Sequence, residues 1–118
     1  MNVNLYDSEL KLMELLWEME PASAKELSLA AAKKIGWNKN TTYTVLKKLE
    51  TKGYLLRTEP GYICTSLISK DQAQQAETAS LITRLFGGSK KALFSALLDD
   101  KTLTREELDE LRRMIDGR

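Results

Sequence analysis

Histidine is absent from this chain, cysteine occurs once, at Cys64, and no apolar run approaches the length of a membrane span. Each gap removes a class of function. Without histidine and with one thiol, a Cys/His zinc site and an intrachain disulfide framework are both impossible. The lone thiol fits a reducing cytoplasm, and the missing apolar run argues against membrane insertion. The opening MNVNLYDSEL has neither a basic start nor an apolar core, so no signal peptide is expected. There is no nucleophile beside a base, no phosphate-cradling glycine loop and no metal-ligand cluster, so no catalytic residue, metal or cofactor is expected. The acid pairs Asp99-Asp100 and Glu106-Glu107 read as a loop and as the first turn of a helix, where the dipole favours negative charge.

Net charge is only +1, which by itself argues against nucleic acid, but the charge is unevenly spread. Between positions 33 and 58, Lys33, Lys34, Lys39, Lys47, Lys48, Lys52 and Arg57 face a single acid, Glu50. From 1 to 32, Lys11 and Lys25 face Asp7, Glu9, Glu14, Glu18, Glu20 and Glu26. A basic block in a neutral chain is an electrostatic footprint. Its centre is WNKNTTYTVLKKLETKG, Trp37 to Gly53. Read as a helix, this stretch places Thr42, Val45, Leu46 and Leu49 on one apolar stripe. Asn40, Thr44, Lys47 and Thr51 lie opposite, with Tyr43 and Lys48 on the flanks. Hydroxyls, an amide, a phenol and ammonium groups without an acid suit double-stranded DNA, whose phosphates want cations and whose base edges want hydrogen bonds. An ordinary amphipathic surface helix with a solvated lysine face would read the same way in isolation, so its neighbours decide.

Residues 7–19, DSELKLMELLWEM, form the first helix, with Asp7 or Ser8 as cap. Leu12, Leu15, Leu16 and Met19 make its apolar stripe, Trp17 joins the core, and Glu9, Glu14 and Glu18 face water. Glu20-Pro21-Ala22 interrupts it, since proline disfavours helical geometry in the residue before it. Ser23 with Glu26 is a capping box that opens an alanine-rich second helix, and Gly36 ends it. Asn38 or Asn40 caps the third helix and Gly53 closes it. A tight glycine turn before a basic, threonine-rich helix is a helix-turn-helix. Tyr54 to Thr58 and Tyr62 to Ser66 read as two strands around the turn Glu59-Pro60-Gly61, a hairpin wing with Arg57 near its tip. Cys64 reads as a small, half-buried strand residue.

Ser69 then caps a long helix that carries Ala76, Leu81, Ile82, Leu85 and Phe86. Gly87-Gly88 breaks it. A fifth helix from Ser89 shows Leu93, Phe94, Leu97 and Leu98, and Thr104 with Glu107 boxes the start of a sixth. Three short amphipathic helices cannot bury enough area against their own entropy. A two-fold partner covering Leu81, Ile82, Leu85, Phe86, Leu93, Phe94, Leu97 and Leu98 is the simplest remedy; packing back on the N-terminal domain is the alternative. The expected architecture is mainly α with a small β-hairpin wing. A winged helix-turn-helix DNA-binding domain spans 1–68 and a C-terminal helical dimerisation domain spans 69–118.

LYDSELKLMELLWEMEPASAKEL resembles the first two helices of the penicillinase repressor family, which includes repressors of β-lactamase and methicillin-resistance genes. WNKNTTYTVLKKLETKGYL matches that family's W-x-x-x-T-x-x-T-x-x-x-x-L-x-x-K-G pattern at Trp37, Thr41, Thr44, Leu49, Lys52 and Gly53. GGSKKALFSALLDDKTLTREELDELRRMI resembles its C-terminal helices. The resemblance implies a homodimeric bacterial repressor whose two N-terminal domains each bind half of an operator palindrome. In staphylococcal members a membrane metalloprotease sensor system triggers cleavage at an Asn-Phe bond in the fifth helix, and Ala96-Leu97 occupies the matching place here. Copper-responsive relatives carry paired C-terminal cysteines that this chain lacks. Lys39, Asn40, Thr41, Tyr43, Thr44, Lys47, Lys48 and Arg57 are the expected DNA-binding residues. The competing reading, from another functional class, is a winged-helix protein-interaction module without sequence-specific DNA binding.

Overall fold

The computed structural model describes residues 3–118, which form two compact units, one ending at Glu77 and the other running from Thr78 to Arg118. In the first, α1 (Asp7–Met19), β1 (Ala22–Ser23), α2 (Ala24–Lys34) and α3 (Lys39–Thr51) precede a hairpin of β2 (Leu55–Thr58) and β3 (Ile63–Ser66). Helix α4 (Lys70–Phe86) runs through the division between the units. The three N-terminal helices pack on one another around Leu12, Met13, Leu16, Leu27, Leu46 and Leu49, all fully buried. Leu12, Leu16, Leu46 and Leu49 lie on the helical-period stripes of the sequence, and Met13 and Leu27 join them in one core. Ile68 and Ala73 extend that core to the start of α4. Trp17 is half-buried there, its indole N–H donating to the Ile68 carbonyl at 2.9 Å.

The helix ends follow local chemistry. Ser23 Oγ accepts from the Glu26 amide while Glu26 Oε1 accepts from the Ser23 amide, both at 3.0 Å. Asn38, rather than Asn40, caps α3, its Oδ1 accepting from the Thr41 amide at 2.8 Å. At the other end Gly53 takes φ +81°, which lets the Tyr54 amide reach the Leu49 carbonyl and its own amide reach that of Glu50, both at 3.0 Å. This pair of bonds is a Schellman cap, and it turns the chain out of the helix into the wing.

Four expectations need correction. Helix α1 is not capped by Asp7 or Ser8: Tyr6 is the N-cap, and its amide donates to Glu9 Oε1 at 2.8 Å. Glu9 does not face water. It is 1% exposed and its Oε1 lies 2.7 Å from Lys52 Nζ, because an acid in the first turn of α1 meets a lysine across the helix junction. The sheet has three strands rather than two. Its order is β1-β3-β2, with Ala22 opposite Cys64 and Ser23 opposite Ile63, because the chain leaving Pro21 is already extended and falls beside the free edge of β3. Cys64 is fully buried rather than half-buried, since it lies on the central strand and its side chain belongs to the hydrophobic core. Burial pushes its thiol up to about 11, which keeps it protonated and unreactive.

The second unit contains the end of α4, then α5 (Lys90–Leu98) and α6 (Arg105–Asp116). Ser89 caps α5 through the Ala92 amide, and Thr104 with Glu107 boxes α6. No residue from 78 to 118 is fully buried.

Candidate nucleic-acid interface

Helix α3 is the organising element, and its two faces part cleanly. Thr42, Val45, Leu46 and Leu49 point into the core. Asn40, Thr44, Lys47, Lys48 and Thr51 are exposed and line an open hollow of about 740 Å³. Tyr43, Lys52, Tyr6 and Glu9 complete its walls. Neither Lys47 nor Lys48 enters an ion pair, so both ammonium groups are available to an anion; the ion pairs among the described residues are Lys34–Glu18, Lys52–Glu9 and Arg57–Glu59. The one acid on the hollow, Glu9, is buried and paired. The surface thus combines free cations with neutral hydrogen-bonding groups.

Thr44 is partly committed. Its hydroxyl donates to the Asn40 carbonyl at 2.8 Å, so outward it offers only oxygen lone pairs and a methyl group. Those suit an exocyclic amino group of adenine or cytosine, or the methyl of thymine. Lys39 sits at the helix start with Nζ 5.5 Å from the Tyr43 ring centroid. Thr41 is exposed in the first turn but is not among the residues that line the hollow.

The wing reaches the same surface through two tyrosine rings. Tyr43 meets Tyr62 edge-on, with centroids 5.9 Å apart. The Arg57 guanidinium lies over Tyr62 at 3.9 Å, and its Nη2 lies 2.7 Å from Glu59 Oε1. The hydrogen bond with Glu59 raises the arginine and holds the Glu59 carboxyl below its usual range. Tyr62 has φ +51°, a left-handed conformation unusual for an aromatic residue, and it brings the ring between helix and wing. Of the expected residues, Asn40, Tyr43, Thr44, Lys47 and Lys48 therefore share one hollow. Lys39 adjoins it through Tyr43, and Arg57 joins through Tyr62 while already engaged by Glu59.

Tyr6, Glu9, Glu59 and Tyr62 belong to this surface without being expected there from the sequence. Glu9 left a trace, since an acid three residues after an N-cap often reaches back to the cap amide. The others left none, because their contacts depend on how α1 and the wing dock on α3.

Comparison with known proteins places this architecture. The model of the penicillinase repressor family matches residues 5–117. The chain belongs to that family. It is 24% identical over 112 residues to the penicillinase repressor of Bacillus licheniformis, a match covering 93% of this chain and 88% of that protein. It is also 26% identical over 110 residues to an uncharacterised 16.5 kDa protein of Latilactobacillus sakei, covering 92% of this chain and 75% of that one. The solved DNA-binding domain of the repressor BlaI superposes with a TM-score of 0.54 at 24% identity, over 61% of this chain and 90% of that domain. The penicillinase-repressor fold of this chain is accordingly a winged helix followed by a helical C-terminal unit.

The C-terminal residues expected at an interface divide by exposure. Leu85 on α4 and Phe94, Leu97 and Leu98 on α5 are exposed, whereas Leu81, Ile82 and Phe86 on α4 and Leu93 on α5 are half-buried. Ala96 and Leu97 lie in the last turn of α5, both exposed.

Proposed function

We propose that the chain is a transcriptional repressor that binds a palindromic DNA operator as a homodimer. The observation that carries this reading is the exposed face of α3, where unpaired Lys47 and Lys48 flank Asn40 and Thr44 on a surface whose one acid is neutralised. Lys39, Lys47, Lys48 and Arg57 contact phosphates, and Asn40, Thr41, Tyr43 and Thr44 approach base edges from the N-terminal half of the recognition helix. The C-terminal unit pairs two copies, so that the second half-site is bound intramolecularly. Belonging to a family of repressors supports this reading over a protein-interaction module.

Relief by proteolysis at Ala96-Leu97, triggered by a membrane metalloprotease sensor system, and a link to β-lactam or cell-wall stress extend the same reading. The name of the Bacillus licheniformis relative, a penicillinase repressor, supports the β-lactam part of that extension. Cleavage there would cut the last turn of α5 and separate α6 from the pairing surface.

Titration of duplex DNA across a salt series tests the DNA reading. Affinity should fall linearly on a log–log plot, and Lys48→Ala should flatten the slope by about 0.9 for each phosphate contact removed. It should weaken specific and random duplexes alike. An affinity indifferent to salt, or the absence of duplex binding, would leave the protein-interaction module as the better account.

A further inference from the structure

The N-terminal segment that precedes α1 forms a wall of the hollow, although it belongs to neither the recognition helix nor the wing. Tyr6 is 65% exposed, unusual for a large aromatic residue that is held on several sides. Its amide donates to Glu9 Oε1 at 2.8 Å. Its ring carries the Lys52 ammonium at 4.4 Å from the centroid. That ammonium also donates to Glu9 Oε1 at 2.7 Å and to the Asn4 carbonyl at 3.2 Å, and it lies 5.9 Å from the Tyr54 ring. The Asn4 amide donates to the Tyr54 hydroxyl at 2.9 Å, so the segment is pinned to the end of α3 at two points. Glu9 is buried with Oε2 unpartnered. An acid under a phosphate-binding surface would repel the ligand, and Lys52 cancels it. The charge of Lys52 is thereby taken up by Glu9, although the sequence places this lysine in the basic block.

We propose that Tyr6 is a DNA contact, its phenol hydroxyl donating to a backbone phosphate at the edge of the hollow away from the wing. Lys52 and Glu9 act as positioning residues that hold it there. The inference rests on the DNA-binding reading above. A phosphate is the partner because Tyr6 stands off α3, outside the row of side chains that faces base edges, and tyrosine hydroxyls commonly serve phosphates.

The test uses the full chain and a duplex carrying its binding site. Tyr6→Phe keeps the ring and its contact with Lys52, so thermal stability should be unchanged. Affinity should fall roughly tenfold per half-site, the scale of one hydrogen bond to a charged group. Specific and random duplexes should lose equally, and the salt slope should not change, because a neutral hydroxyl displaces no counterion. Lys52→Gln should likewise leave the salt slope intact, in contrast to Lys48→Ala, and Tyr6→Phe should cost less affinity in the Lys52→Gln background than in the wild type, because the ring is no longer held in place. Unchanged affinity in Tyr6→Phe while the wild type binds DNA would overturn the inference and leave the DNA reading standing. A flattened slope in Lys52→Gln would make Lys52 a phosphate ligand and overturn its assigned role. Failure of the wild type to bind any duplex would instead remove the DNA reading itself.

Discussion

Glu59 decides what Arg57 can do. The arginine is the cation nearest the wing tip, and in the free protein its guanidinium is held by a carboxylate at 2.7 Å over the Tyr62 ring. Such a pair mimics an arginine–phosphate contact. Both partners are exposed, so the pair itself contributes little to stability, and a DNA phosphate can displace the carboxylate at small cost. The carboxyl of Glu59 is held below its usual range by Arg57 first and by the Tyr62 amide second. The pair is therefore intact above the ordinary carboxylate range, and its small contribution is lost only as pH falls through the depressed value. Glu59→Gln should free Arg57 at neutral pH. On the proposed function, Arg57 would meet its phosphate without baring a carboxylate beside it, so DNA affinity should rise a few-fold and the salt slope should steepen by up to about 0.9 per half-site. Electrophoretic titration at two salt concentrations measures both, and a variant that binds more weakly than the wild type would assign Glu59 a supporting role in the wing instead.

At the scale of elements, the structure shows which signals a sequence carries and which it cannot. Helix α3 was legible because its stripe, its Asn38 cap and its Gly53 stop are all local. The capping pairs Ser23–Glu26 and Thr104–Glu107 were legible for the same reason. Strand β1 was not, since two residues have no periodicity and its pairing comes from β3, forty residues later in the chain. Glu9 and Lys52 escaped for a related reason: the rule that acids face water holds until an opposite charge arrives from another helix. The α3 stop also carries a stability prediction. Gly53 has φ +81° and open space where a Cβ would stand, so Gly53→Ala meets no clash and pays only for the left-handed backbone. Unfolding free energy should fall by about 1–2 kcal/mol at unchanged denaturant dependence. A variant as stable as the wild type would mean that alanine holds the left-handed conformation here without cost.

For the whole molecule the question is what stabilises the second unit. Its 78–118 stretch contains no fully buried residue, yet Leu85, Phe94, Leu97 and Leu98 stand exposed on α4 and α5, and Met114 and Ile115 on α6. Ordering a stretch of this length costs more than the area it buries by itself can return, so its apolar side chains call for a partner surface. On the proposed function, a second copy of the chain would supply one with matching chemistry, and it would bring two copies of α3 to the two halves of a palindrome. The first unit does not depend on that pairing, since Leu12, Met13, Leu16, Leu27, Leu46 and Leu49 are fully buried within it. Leu97 is 46% exposed in the single chain, so Leu97→Asp costs the monomer little, whereas in a dimer it buries an unpaired charge. The variant should sediment as a monomer at concentrations where the wild type is dimeric. Its affinity for a two-half-site operator should fall by about 10²–10⁴, the gain normally conferred by linking two binding modules, while affinity for a single half-site stays near that of the wild type. Sedimentation beside operator titration decides the matter, and a Leu97→Asp protein that remains dimeric and binds the operator normally would place the pairing surface elsewhere.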